Sequence, residues 1–472
     1  MNKDWEIIIG IEIHIELNTK TKMFSPVAND FNLQANEAVS NIDLAYPGSL
    51  PLVNKEAIIK GIKLAKALNM TIDKLIRFDR KNYFYPDLTK GYQITQQFNP
   101  IGSNGTIEIK LDNEWKDISI QRIHLEEDTA KSLHEGPYTY LNYNRAGVPL
   151  IEIVSDPVMR SAKEAVAYVD AIRKTALLLN ISDAKMNEGS LRTDVNISVR
   201  KLGSDVYNTR VEIKNLNSLS NVEKAIEYEA NWQIQKYLNN ETFEQETKRF
   251  DESSQTTVSM RSKSSAIDYK YYPEPNIPAI SLSDELINSV TISETPYEKE
   301  MRYKSLDLND VQISQLVNNI EYANYLDSIK VDNFKKAANI FFSDLVSYLN
   351  LNSKNITELK FDNKDFETLL SLLFKNEIDK KNIHKIIELK ETNSSKNLLD
   401  LIKENNLYLE KNEKSLEEVF EDILKENPSL EAEFSKNYDR ASKFALGQCM
   451  KKTMGKANAK ELNELIAKRF PR

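Results

Sequence analysis

The sequence holds one cysteine, Cys449, among 472 residues. That excludes an internal disulfide and a Cys-rich zinc site, fits a reducing compartment, and argues against redox or thiolate chemistry. No apolar run reaches the roughly 18 residues of a membrane span before Glu, Lys or Asp interrupts it. Where a signal peptide would be basic and then apolar the chain has Asp4 and Glu6, so a cytoplasmic protein is expected. An excess of positive charge is also missing: 63 Lys and Arg face 71 Asp and Glu, a net charge of -8. A general polyanion binder is thereby excluded, and any contact with nucleic acid must come from local basic surface. Histidine is scarce too, at four, which directs attention to the carboxylates around each one.

What is present is a 40% hydrophobic chain, enough for ordinary cores, over a length that suggests about three domains. From residue 5 to about 290 the pattern is mostly short alternating strands with turn punctuation at Pro47-Gly48, Asn99-Pro100 and Asn104-Gly105, the last read as a hairpin turn. Helical spacing of apolar residues predicts helices over 55–69 and 162–179. This is an α+β region built on antiparallel sheet. After Thr295-Pro296 the composition shifts to Leu, Asn, Lys and Glu with no glycine until Gly447, which predicts consecutive helices with a break at Asn427-Pro428-Ser429. The expected domains are 1–292, 293–400 and 401–472, and no internal repeat is found.

The strands carry the chemistry. Ile9 to Leu17 alternates isoleucine with ionisable residues and, as a strand, sets Glu12, His14 and Glu16 on one face. Ile118 to Glu126 does the same for Arg122, His124 and Glu126, then runs into Glu127-Asp128. Asp194 to Arg200 and Val211-Glu212-Ile213-Lys214 alternate again. Glu152 stands alone in the apolar strand Pro149 to Val154, where an unpaired buried charge is costly, so it needs a partner. One economical arrangement is a broad sheet with helices on one face and, on the other, a polar basin lined by Glu12, His14, Glu127, Glu152, Glu188 and Asp194. Oxygen-rich ligation with at most one imidazole suits Mg²⁺ or Mn²⁺. Such ions serve phosphoryl transfer to a carboxylate, and they equally serve a two-metal nuclease or phosphatase.

Other clusters admit two readings. Asp79 to Asp87 and Asp268 to Pro275 combine cations with aromatics, which suits phosphates and bases or, equally, a packed Tyr/Phe corner. Gly189-Ser190-Leu191-Arg192 offers donors to a phosphate without P-loop spacing. From Asn437 onward the basic residues Arg440, Lys443, Lys451, Lys452, Lys456 and Lys460 make the tail the candidate for RNA contact.

Together the motifs resemble one family, the B subunits of aspartyl/glutamyl-tRNA(Asn/Gln) amidotransferases. The resemblance runs through Gly10-Ile-Glu-Ile-His14, Phe78 to Asp87, His124-Leu-Glu-Glu-Asp128, Asn144 to Ile153, Met186 to Asp194, Glu212 to Asn217, Tyr269 to Pro275 and Gly447 to Asn458, nearly the whole chain. It implies ATP- and Mg²⁺-dependent phosphorylation of the side-chain carboxylate of Glu-tRNA(Gln) or Asp-tRNA(Asn), then displacement of phosphate by ammonia. It also implies a cradle related in its sheet to glutamine synthetase, a helical domain, and a tRNA-holding tail of the YqeY type. The family's motif positions fall here on Glu12, His14, Glu127, Glu152, Glu188 and Asp194 for metal, with Glu126 and Asp128 as close neighbours. By the same resemblance Lys81, Arg145, Arg192 and Lys214 are candidates for phosphate or substrate contact, and Glu127, Arg192 and Lys81 for catalysis.

Some positions depart from the family pattern. The cysteine pairs that bind zinc in many members are replaced around Met23-Phe24-Ser25-Pro26 and Leu44-Ala45-Tyr46-Pro47, so zinc is not expected. Asn142 stands where an aspartate is usual, and Ala459 where a proline is common. No amidase-type serine motif or plausible catalytic cysteine is found, so ammonia must come from a partner. The resemblance makes that partner the A subunit, with a small C subunit clamping the assembly.

Overall fold

The computed structural model describes residues 4–30, 33–112, 114–262, 268–409, 416–453 and 458–471. The chain divides into two compact units, Met1–Asn324 and Tyr325–Arg472.

In the first unit the chain runs β1 (Trp5–Glu16), α1 (Lys55–Ala67), β2 (Thr71–Ile72), β3 (Leu75–Ile76), β4 (Asp79–Asn82), β5 (Tyr92–Thr95), β6 (Gly102–Leu111) and β7 (Glu114–Glu127). It continues through β8 (Lys131–Glu135), β9 (Tyr138–Asn142), β10 (Pro149–Ser155), α2 (Ala162–Leu178), β11 (Leu191–Lys201), β12 (Val211–Lys214) and α3 (Leu219–Leu238). Strands β13 (Glu246–Asp251), β14 (Thr256–Ser262), β15 (Tyr272–Pro273) and β16 (Ile280–Ser281) follow. Nine strands form one sheet in the order β14-β13-β12-β11-β1-β10-β7-β6-β2. Every neighbouring pair is antiparallel except β12 and β13.

Alternation explains why β1 sits at the centre. Ile7, Ile9, Ile11, Ile13 and Ile15 are all buried in the main core, which they share with Ile58 and Ile62 of α1, Val169 and Ile172 of α2, and Val222 and Ile226 of α3. The helices therefore cover the isoleucine face, and the ionisable face of β1 is left to line a basin. This is the expected α+β architecture.

The helices over 55–69 and 162–179 are present within two residues, but α3 falls in a region read as strand. The Asn104-Gly105 pair is not a hairpin turn; both residues lie inside β6. Asn104 takes φ +52, and a Cβ on Gly105 would lie 2.5 Å from the Leu68 carbonyl at the end of α1. The glycine there admits a close approach, sealed by Thr106 N–H donating to Leu68 O at 2.8 Å. The β6–β7 hairpin turns further on, where Leu111 pairs with Glu114.

The second unit is helical among its described residues. Its first part packs Phe341, Phe361 and Phe366 around Tyr325, whose hydroxyl donates to the carbonyls of Phe361 and Asp362 at 3.2 and 3.1 Å. Its last helices, Leu416–Glu426, Ser429–Lys436, Tyr438–Lys452 and Ala459–Arg469, share a separate core that includes Phe420, Ile423, Cys449, Leu462 and Ile466. The helix break lies at Pro428 as expected, and Cys449 is buried and free. No helix among the described residues is long and apolar enough to cross a membrane.

Candidate active site

Register gathers the polar residues into rows across the central strands. His14 pairs with Glu152 on one side and Arg192 on the other, Glu12 pairs with Asp194, and Glu152 pairs with His124. Paired residues in a sheet share a face. Two groups result whose ligand atoms lie within 4.8 Å of one another: His14, Glu126 and Glu152, and then Glu12, Asp194 and Glu212.

In the first group His124 Nε2 lies 2.7 Å from a Glu152 oxygen, and His14 Nε2 lies 3.5 Å from both Glu126 and Glu152. Burial opposes charge on either imidazole, but the surrounding carboxylates outweigh it and push both up to about 9. The Glu152 carboxyl is buried, yet His124 and His14 hold it well below the usual carboxylate range. In the second group burial, followed by repulsion from Glu152, Asp194 and Glu212, pushes Glu12 up. Such crowding is relieved by a cation, so each group suits a hard divalent ion.

A cavity of about 410 Å³ opens over this face, and Lys81, Arg192 and Lys214 all line it. Lys214 Nζ pairs with Asp194 and, at 3.1 Å, with Glu212. Arg192 pairs with Asp128 and, at 3.3 Å, with Glu16. Lys81 reaches the cavity from β4, its ammonium 5.0 Å from the Tyr269 ring. Burial works against that ammonium, but Glu126, Tyr271 and Glu152 hold it above its ordinary value. The two aromatic segments are thus one feature: β15 pairs with β4, the Tyr83 and Tyr269 rings meet at 5.9 Å, and together they present Lys81. Arg80, one residue earlier, is instead locked to Glu274, with Nη2 donating to Oε1 at 3.1 Å.

Several expected residues stand elsewhere. Glu127, next to Glu126 along an extended strand, turns to the opposite side. Its carboxylate accepts from Lys90 Nζ at 2.8 Å and from the Ile94 N–H at 3.1 Å. Glu126 is the member of that pair that reaches His14 and Glu152. Glu188 is exposed on the loop before β11 and pairs with Lys185 at 2.9 Å, away from both groups. The Arg145 guanidinium donates to the carbonyls of Thr129 and Ala130 at 2.9 and 2.8 Å and lines a second cavity, of about 540 Å³, rather than the first. Glu16 lines that second cavity as well, and burial beside Asp128 pushes it up to about 8. Glu212 completes the second group; its alternation with Lys214 and its place in a family motif signalled it, but not as a ligand. Glu126 had a clearer signal: it is in phase with His124, whereas Glu127 is not.

Asn142 does the local work a carboxylate would do there. Its Oδ1 accepts from the backbone N–H of Asn144 at 3.0 Å and of Asn36 at 3.3 Å, so the turn requires an oxygen acceptor and not a charge. Gly147, in the same motif, takes φ +85, and a Cβ there would lie 2.8 Å from Asp43. Of the basic tail residues, Arg440, Lys443, Lys451, Lys452 and Lys460 are exposed, and Lys456 lies outside the described residues.

Comparison with known proteins gives the family. The family model described as the GatB/GatE catalytic domain matches residues 7–288, and the one described as the GatB domain matches residues 324–470. The chain is 54% identical to the B subunit of the aspartyl/glutamyl-tRNA(Asn/Gln) amidotransferase of Mycoplasmopsis agalactiae over 98% of both chains. It is 49% identical to the protein of the same name from Mycoplasmopsis pulmonis over 99% of both, and 41% identical to that of Clostridium botulinum over 98% of both. Over its full length, then, the chain belongs to the GatB family, the B subunits of tRNA-dependent amidotransferases.

Proposed function

We propose that this chain performs the ATP-dependent half of a tRNA-dependent amidation. A side-chain carboxylate oxygen of Glu-tRNA(Gln) or Asp-tRNA(Asn) attacks the γ-phosphorus of ATP and ADP leaves. Ammonia then adds to the acyl carbon, phosphate departs with that oxygen, and Gln-tRNA(Gln) or Asn-tRNA(Asn) results. The observation that carries this reading is that His14 and Glu126 of the first group and Asp194 of the second line one cavity together with Lys81, Arg192 and Lys214.

The donor set fits Mg²⁺: five carboxylates and one imidazole, no thiolate, and half-buried carboxylates crowded around Glu12. His14, Glu126 and Glu152 would hold one ion and Glu12, Asp194 and Glu212 a second. Bound there, Mg²⁺ supplies neutralisation of the phosphate oxygens. The chain's own cations do the rest. Lys81, fixed by its tyrosines, and Arg192, fixed by Asp128 and Glu16, offset charge on the transferring phosphoryl group and orient the acceptor carboxylate. Lys214 holds Asp194 and Glu212 in place.

Ammonia comes from glutamine hydrolysed on the A subunit, with the C subunit completing the assembly, and the exposed basic tail holds the tRNA. The reading places the work in the cytoplasm, where charged tRNA is consumed. The test supplies Glu-tRNA(Gln), ATP, Mg²⁺ and ammonium to the purified assembly. Wild type should form the amide and Glu126→Gln should lose at least about a hundredfold in rate. Equal amidation by the two proteins defeats the site assignment, and cleavage of the tRNA in place of amidation favours nuclease chemistry.

A further inference from the structure

The hairpin of β8 and β9 pairs only with itself, as a two-stranded sheet. Its register sets Lys131 opposite Asn142, Leu133 opposite Tyr140 and Glu135 opposite Tyr138, so these six residues share one face. The two residues at the base of that face, Lys131 and Asn142, line the second cavity. Further along the face Leu133 is 41% exposed, and the rings of Tyr140 and Tyr138 are 53% and 66% exposed with their centroids 6.4 Å apart. Arg192 lines this cavity and the reaction cavity alike. The aromatic face thus adjoins a polar chamber that shares Arg192 with the cavity beside the carboxylate groups.

We propose that this face is a stacking platform for the unpaired 3′ end of the aminoacylated RNA. The terminal nucleoside enters the second cavity, and the acyl group passes Arg192 into the reaction cavity. Successive bases of a single strand stack on aromatic side chains without regard to sequence, which suits two neighbouring tyrosines on an open strand face. The chamber matches a nucleoside: at about 540 Å³ it falls in the range of small-molecule sites, and Asn18, Thr19, Ser190 and Lys131 bring amide, hydroxyl and ammonium groups to its wall. The order of aromatic face, chamber and reaction cavity also matches the substrate, whose bases, terminal ribose and ester-linked amino acid follow one another in that sequence. Tyr138 and Tyr140 are positioning residues; neither reaches the reacting atoms.

The inference rests on the amidotransferase reading, and its test separates the two. The complete assembly is given Glu-tRNA(Gln), ATP, Mg²⁺ and ammonium in place of glutamine, and kcat and KM are measured for each substrate. Tyr138→Ala/Tyr140→Ala should raise KM for the RNA about tenfold or more and leave kcat and the KM for ATP within about twofold. Tyr138→Phe/Tyr140→Phe should behave as wild type, because the ring and not the hydroxyl does the stacking. An unchanged KM for the RNA in the alanine pair overturns the platform while the amidation chemistry stands. An alanine pair that amidates normally from ammonium but poorly from glutamine, and sediments as dissociated subunits, marks the face as a protein contact and also overturns it. If wild type forms no amide, both readings fall.

Discussion

At the residue scale, a single position along β7 separates the proposed ligand from a structural acid. Glu126 and Glu127 are adjacent in sequence, both buried, and on opposite sides of the strand. Glu127→Gln weakens the pair with Lys90 and should cost about 1–3 kcal/mol of stability, read as a lower denaturation midpoint, with amidation preserved in the folded fraction. Glu126→Gln should do the reverse, keeping the fold and losing the chemistry. The imidazoles supply a pH test. Both are raised from 6.5 to about 9 in the fold. Their protonation thus stabilises the cation-free protein fully below about pH 6.5, and that stabilisation is lost as pH rises through about 9. A cation needs the neutral His14 nitrogen, so affinity for Mn²⁺ should rise roughly tenfold per pH unit from about pH 7 toward 9, for one displaced proton. Calorimetric titration at about pH 7 and about pH 8.5 measures this, and equal affinities at the two would remove His14 from the site.

At the element scale, the strands that build the site were legible because isoleucine alternates with charge, and the phase of that alternation assigns each residue to a face. Helix α3 was not legible, and its buried stripe shows why. Between Val222, Ala225 and Ile226 on one turn and Ile234 on another lie Glu229 and Gln233, both fully buried, which break the apolar pattern. Glu229 pairs with Lys248 of β13 at 3.1 Å and accepts from Thr257 Oγ1 of β14 at 2.6 Å, contacts that no local window contains. Glu229→Ala removes the nearest carboxylate from that buried lysine, leaving it Glu246 at 3.4 Å and the Trp232 ring, and should cost about 1–3 kcal/mol in equilibrium unfolding. Asn104-Gly105 misled for a similar reason, since its glycine answers to the end of α1 and not to a turn. In the tail helix Tyr438–Lys452, Gly447 has open space where a Cβ would stand, so Gly447→Ala should stabilise the helix by about 1 kcal/mol, seen as a higher melting temperature.

At the scale of the whole molecule, the chain divides into two compact units, and the proposed tRNA-holding tail lies in the second. Leu398, Leu401 and Ile402 are buried, so a truncation at residue 400 would cut a packed helix, whereas ending the chain after Leu409 removes the last four helices with their own core. That shorter chain should keep the sheet folded and bind tRNA more weakly, with the salt dependence of the remaining binding reduced. Unchanged tRNA affinity would contradict the role given to the tail. The sequence motifs carried the family and most of the basin, because ligands on neighbouring strands recur as alternating rows. The partnership of Glu212 with Glu12 and the tying of Arg145 to backbone carbonyls were hidden, because each depends on which distant segment lies alongside. The central claim is that the substrate carboxylate is activated by phosphoryl transfer on this chain. Its most direct test is Glu-tRNA(Gln) with ¹⁸O in the side-chain carboxylate, turned over by the assembly with ATP, Mg²⁺ and ammonium. One ¹⁸O should appear in the inorganic phosphate for each amide formed; phosphate that carries no ¹⁸O while amide accumulates would rule out phosphoryl transfer to that carboxylate.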